Sequence, residues 1–448
     1  MIRLAGLCVL TLAACGDNAL APDAAPIQAA ITSFRVDQPV LARGNTTRLV
    51  AKFTGTSATI DQGVGTILAG VPISVAPTVA TTYTLTVTGE TGTTATATVD
   101  VDVFDHVAEV VNTNASGAGS LAAAVTVANT AAGSTAITFT LPEPSTIELG
   151  ATLVSTGEVT ILGPGANKLT VSGMDQRRLF FVDGGELTMS GVTLTHGLGA
   201  GGKGGAGLAG GGGGGAAGMG GAVFINAGTV TLQDIAISNS VARGGAGGGN
   251  SSGLSNGGGG GGFGGDGNDG SSTTVGSGGM GGAGGALGGT GGTSGANAIG
   301  DGGGGGGGGA GVQEDGGAGG FGAGGGGFGG FPDAGAGGFG GGAGGGANPV
   351  PGMFGGTSAQ GGGGGGAGLG GAIFVRTGTL VVSNSSFTAN QAIAGLGGNL
   401  VASPGLAKGG AIFSLVPTVT LTFVTHSNNV AADAAGTETD SVDVYLTP

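Results

Sequence analysis

One unit, written several times over, constrains this chain more than any other feature of it. Gly370–Ala392 reads GGAIFVRTGTLVVSNSSFTANQA. Gly220–Ala242, 150 positions earlier (370 − 220), reads GGAVFINAGTVTLQDIAISNSVA, and Gly409–Ala431, 39 positions later (409 − 370), reads GGAIFSLVPTVTLTFVTHSNNVA. A fainter copy stands 43 positions before the Gly220 copy (228 − 185): Leu179, Phe180 and Phe181 followed by Glu186–Leu194 occupy the same slots. A single copy cannot bury its own apolar face, so four copies imply a stacked array.

Within the unit, Val230 and Leu232 and then Ile235 and Ile237 recur at every second position, the period of strands with one face inward. The slots Phe181, Phe224, Phe374 and Phe413 are expected to fall above one another as an internal apolar ladder, as are Leu194, Ile237, Phe387 and His426. Asn390 and Asn429 share a slot with Ser240 and Gly197, and stacked Asn side chains at strand spacing can satisfy one another's amides. The Gly-Gly pair before each Ala marks a corner, where a residue without Cβ turns easily through positive φ. The expected fold is all-β, a parallel β-helix.

The signals GGAI (Gly370–Ile373, Gly409–Ile412), GGAV (Gly220–Val223) and FxxN (Phe387–Asn390) resemble the repeats of polymorphic outer-membrane proteins and related right-handed β-helix surface proteins. Val111–Leu121 (VNTNASGAGSL), Ala136–Phe139 and Val159–Gly173 (VTILGPGANKLTVSG) resemble the opening of such a helix. The chain departs from that pattern at Ala122 and Ala123, where the family commonly has a polar pair, and only one copy keeps FxxN intact. The resemblance implies a right-handed parallel β-helix of the pectin lyase-like kind over residues 107–448.

Before it, Leu4–Ala14 is an uncharged apolar run too short to span a bilayer, so residues 1–14 read as a signal peptide. Leu12-Ala13-Ala14-Cys15 resembles the bacterial lipobox, which implies lipidation of Cys15. With Cys8 removed and Cys15 acylated no thiol remains, so neither disulfides nor Cys-ligated metal hold the fold. Residues 15–29, with Pro22 and Pro26, read as a lipidated tether. Residues 30–104 carry short alternating runs (Phe34–Val36, Thr47–Phe53, Val71–Val75, Tyr83–Val87, Thr94–Val103) at the spacing of a β-sandwich. Pro77–Val87 resembles the closing strands of bacterial Ig-like domains, which suggests a spacer. Asp105–Asn114 reads as a bridge between the two domains. Ser120 stands as an N-cap before Leu121, Ala124, Val125 and Ala128, which predicts a short helix capping the stack.

The repeats are interrupted at one position, just before GGA, by Gly- and Ala-rich segments. The longest spans residues 243–369 and carries isolated Phe263, Phe321, Phe328, Phe331, Phe339 and Phe354. Insertions at a common slot emerge on a common flank. Glycine loses the most backbone entropy on ordering and buries no side chain, so the default expectation is a mobile loop. The alternative is a packed bundle of extended polyglycine helices pinned by the Phe residues.

A net charge of −14, with 12 basic residues scattered along the chain, argues against nucleic-acid binding. Gly264–Asp269 matches the start of a calcium-binding nonapeptide, but it stands alone in a chain of 115 glycines, so no metal is expected. Asp175, Arg177, Arg178, Asp183 and Glu186 are the residues from which a lyase-like site could be assembled. The histidines share no slot. The expectation is therefore a lipid-anchored, non-enzymatic protein of the cell envelope without cofactors. It would be an outer-membrane lipoprotein exposed at the surface, an adhesin or structural component meeting the membrane through its lipid and glycans or envelope proteins beyond it. The alternative is a polysaccharide lyase or hydrolase using the β-helix groove.

Overall fold

The computed structural model describes residues 25–208, 210–251, 256–271, 274–277, 287–305, 307, 315–329 and 333–447. The signal peptide, Cys15, most of the tether and Phe331 lie outside the described residues. The chain forms two compact units, Met1–Val103 and Phe104–Pro448.

In the first unit the alternating runs become two antiparallel sheets. One joins Ala30–Val36, Thr47–Thr54 and Ile73–Val75; the other joins Val40–Ala42, Thr94–Phe104, Thr81–Thr88, Ser57–Ile60 and Gly65–Thr66. Tyr83, Leu85 and Val87 point inward on alternate positions and share a core with Leu41, Leu49, Ile60 and Val101.

In the second unit the stacked strands pair in parallel. The long sheet begins with His106–Val110, in register with Thr135–Phe139, so Asp105–Asn114 is not a bridge between domains: His106–Val110 within it already pairs as the first strand of the stack. Ser120 caps the helix Leu121–Thr130, accepting from the Ala123 N–H, and the helix buries Leu121, Ala124, Val125 and Ala128 against the first strands. The repeat offsets set the register. Phe181, Phe224, Phe374 and Phe413 are successive partners, and Phe413 pairs with Tyr445 on the described C-terminal strand, Val444–Leu446. On a second sheet Leu194, Ile237, Phe387 and His426 are successive partners.

Three rows of corners separate the sheets. Gly220, Gly370 and Gly409 take φ of 56°, 66° and 61°, as the Gly-Gly signal suggests. The other two rows are not glycine rows. Gly191, Asp234, Asn384 and Phe423 form one, and His196, Asn239, Ala389 and Asn428 the other, all with φ between 46° and 62°. Asn and Asp tolerate this left-handed region; for other residues with a Cβ it costs about 1–2 kcal/mol.

The side assignment of the phenylalanine column differs from expectation. Val223 and Ile225, Ile373 and Val375, and Phe180 and Val182 enter the core of the stack. Phe181, Phe224, Phe374 and Phe413 lie between them in sequence and therefore project from the opposite face, into a separate apolar cluster. Both faces of these strands are apolar, so alternation alone cannot say which column is internal.

The outward face is buried because the glycine segments cover it. The described residues of the insertion are packed, against the default expectation of a mobile loop. Along Gly211–Gly218 the N–H groups donate in turn to carbonyls of Phe328, Gly361, Gly205, Gly325, Gly364, Gly202, Gly322 and Ala367, at 2.7–2.9 Å. Every third residue thus returns to the same neighbour, the periodicity of an extended three-residue-per-turn helix. Carbonyls of Gly211 to Ala216 accept in turn from Gly258, Gly345, Gly248, Gly261, Gly342 and Gly245. One segment is therefore hydrogen-bonded to six neighbours, one from its own interruption of the repeat and five from the long insertion. Such a lattice admits no side chain at its centre: a Cβ on Gly214 would lie 2.0 Å from the Gly342 oxygen, and one on Gly211 1.9 Å from that of Gly345. The entropy cost that favours a loop is offset by hydrogen bonds that a solvated glycine tract does not make with itself.

Gly214→Ala is expected to lower stability by about 1–3 kcal/mol, the usual cost of overpacking, and Gly249→Ala, whose nearest neighbour atom would be 3.2 Å away, by less. Thermal melts of both variants test this, and equal melting temperatures would count against the lattice.

Candidate functional site

The most elaborate assembly of side chains is the joint between the stack and the glycine bundle. Ring centroids along Phe181, Phe224, Phe374, Phe413 and Tyr445 are 5.1, 5.0, 5.3 and 4.7 Å apart, all stacked. These separations follow the spacing of the strands that carry them. Phenylalanines of the long insertion meet this column edge-on: Phe263 on Phe224 at 5.4 Å, Phe321 on Phe374 at 6.4 Å, and Phe354 on both Phe413 and Tyr445 at 5.4 Å. Edge-to-face pairs contribute about 0.5–1.5 kcal/mol each beyond area burial. Met219 and Leu369, on the short strands preceding the GGA corners, complete the cluster.

Two arginines fasten the same joint. Arg178 is buried; its Nε donates to the Gly220 carbonyl at 2.8 Å and its Nη2 to that of Met219 at 2.7 Å. Its guanidinium lies over Phe224 and Phe263, 5.2 and 4.9 Å from their centroids. Burial lowers its pKa to about 9, which leaves it charged at neutral pH. Arg376 pairs with Asp301 of the insertion at 2.7 Å and covers Phe321 at 4.1 Å, while its Nη1 donates to Asn226 Oδ1 at 3.0 Å. Asn226 in turn donates to Asp183 at 2.7 Å. Asp183, Asn226 and Arg376 occupy one slot of successive copies.

The asparagine slot forms a second, buried polar column. Gly197 N–H donates to Ser240 Oγ, Ser240 N–H to Asn390 Oδ1, and Asn390 N–H and Nδ2 to Asn429 Oδ1, at 2.9–3.3 Å. Asn429 Nδ2 reaches Asp443 Oδ1 at 2.9 Å. Ser240 and Asn390 are fully buried. Each side chain satisfies the backbone of the copy before it, which is why the slot stays polar inside the stack.

The candidate catalytic residues do not converge. Arg178 and Asp183 are engaged as above, and Arg177 donates to the Leu149 carbonyl and to Gln176 Oε1. Glu186 is in register with Glu158 and then Thr229, so the acidic run stops after two strands. Asp175 does find a partner the sequence did not suggest: His196 Nδ1 lies 3.1 Å from both carboxylate oxygens, on an exposed corner. The nonapeptide-like carboxylates have structural work, since Asp266 accepts from the Lys203 N–H and Asp269 from that of Ala206, both at 2.7 Å. Among the described residues, no group of three or more His, Cys, Asp or Glu is placed to hold a metal ion, and no helix is long and apolar enough to cross a membrane.

His426 is the odd member of its column. Its ring stacks on Phe387 at 5.3 Å, and its Nδ1 is buried with no hydrogen-bond partner among the described residues. Burial pushes its pKa below 6.5, against the opposing pull of Asp443. The unfolded chain therefore holds more proton than the folded one between the folded value and 6.5. Stability from this group is complete above 6.5 and is lost as pH falls toward the folded value.

Asn390→Ala leaves the Ser240 N–H unpartnered in a buried place and is expected to cost about 1–3 kcal/mol, read by chemical denaturation. His426→Phe is expected to flatten the fall in stability between pH 7 and pH 5; an unchanged slope would place its origin elsewhere.

No family model, curated protein or solved structure matches this chain, so its function has to be read from these residues.

Proposed function

We propose that this protein is a lipid-anchored, non-enzymatic component of the cell envelope that serves adhesion or surface structure. In this reading Cys15 carries the lipid, residues 15–29 are the tether, an Ig-like sandwich is the spacer, and a right-handed parallel β-helix, similar to those of polymorphic outer-membrane proteins, is the working domain. Several acyl chains hold such a protein stably, each buried CH₂ contributing about 0.8 kcal/mol. The observation that carries the reading is the use made of the long insertion. Its carboxylates Asp266, Asp269 and Asp301 are engaged by backbone N–H groups and by Arg376, and its phenylalanines by the aromatic column. Side chains so committed serve a rigid surface rather than a reaction.

The alternative, a polysaccharide lyase or hydrolase, draws its support from the exposed His196–Asp175 pair, the arrangement from which a general base can be built. Incubation of residues 16–448 with neutral and acidic polysaccharides, assayed for retention and for new chain ends, separates the two. Retention without new ends is expected. New ends that disappear on His196→Ala or Asp175→Asn would overturn the non-enzymatic reading. Palmitate labelling of the expressed protein, lost on Cys15→Ser, tests the anchor.

A further inference from the structure

The row of corners at Gly191, Asp234, Asn384 and Phe423 holds one residue that does not fit it. Phe423 takes φ of 52°, a conformation in which a bulky side chain is strained and which three of the four copies fill with Gly, Asp or Asn. It is also 82 % exposed, and no other phenylalanine among the described residues is exposed. Strain and solvent exposure are both unfavourable, and neither is offset by packing. Strained residues that persist despite such costs cluster at ligand sites.

Phe423 borders a groove of about 430 Å³ running across successive corners, with Ala166, Asp234, Asn384, Ser386 and Thr425 along it. Its floor is fixed. Buried Ser385 accepts from the Ile235 N–H at 3.2 Å and donates to the Ser383 carbonyl at 2.6 Å, while the Asn384 N–H donates to the Thr422 carbonyl at 3.0 Å. The polar groups facing the groove are less committed. Asp234 accepts through one oxygen from Gln233 at 3.1 Å, and the Asn384 amide has no partner among the described residues. A larger hollow in the first unit, about 530 Å³ beside Gln62, Pro77 and Tyr83, is lined by no charged side chain and no exposed aromatic.

We propose that this groove is a binding site for a neutral saccharide. A sugar ring has an apolar C–H face and a rim of hydroxyls, and the groove presents the complement: the open ring of Phe423, and beside it a carboxylate, an amide and two hydroxyls able to accept and donate. Asp234 and the net charge of −14 disfavour an anionic glycan. The site rests on the adhesive reading above and gives it a ligand class and a location.

The test is affinity electrophoresis of the full-length protein in mild detergent through native gels containing galactomannan, laminarin, xylan or polygalacturonate, with melting temperatures measured in parallel. Retardation by at least one of the neutral polymers is expected, weakened at least about tenfold in Phe423→Asn, a variant that relieves strain and is expected to melt no lower than the native chain. Asp234→Ala is expected to weaken the same polymer. Retardation of the native chain that Phe423→Asn leaves unchanged would overturn the site while leaving the adhesive reading intact. Retardation by polygalacturonate alone would overturn the choice of a neutral ligand, and absence of retardation in every gel would overturn both the site and the reading beneath it.

Discussion

The structure depends on a column of aromatic rings that faces away from the core of its own stack. Phe181, Phe224, Phe374, Phe413 and Tyr445 repeat at strand spacing because the parallel register leaves them no other separation. Left open, they would form a continuous apolar strip along the sheet, the kind of surface that drives association. The insertions occur at the slot that brings them to this strip. Their phenylalanines meet it edge-on, and Arg178 and Arg376 close over the joint.

Covering a strip with backbone raises a second problem, the satisfaction of its peptide groups. Extended helices of this type make no internal hydrogen bonds and normally rely on water. Here each helix relies on its neighbours, which must approach until a Cβ has no room. The glycine content is thus a packing requirement rather than a source of mobility. Alanine is admitted where a segment borders the aromatic column, as at Ala217 and Ala367. Within the stack the same accounting is met by side chains: Asn390 and Asn429 serve the backbone of the preceding copy.

The repeat offsets of 43, 150 and 39 made the strands, their register and the polar column legible before any coordinates. Three things were not legible, each for a physical reason. Strands with apolar residues on both faces, such as Val223–Ile225, do not say which face is internal. A glycine tract has no side-chain periodicity, so the period-three exchange of hydrogen bonds leaves no trace in residue type. The left-handed corners did leave a trace in Asp234, Asn239, Asn384 and Asn428, residues that tolerate that conformation, and in the row of Asp234 and Asn384 that trace singles out Phe423 as the exception. The His196–Asp175 pair was missed because its members stand at corners of different copies, where slot matching does not join them.

Native-state hydrogen exchange of the Gly211–Gly218 amides addresses the account most directly. If the bundle is a hydrogen-bonded lattice locked to the aromatic column, these amides exchange as slowly as those of Val223–Gln233 in the long sheet and are released with them in one cooperative opening. Exchange at the rate of an unstructured glycine peptide, with the sheet still protected, would contradict it.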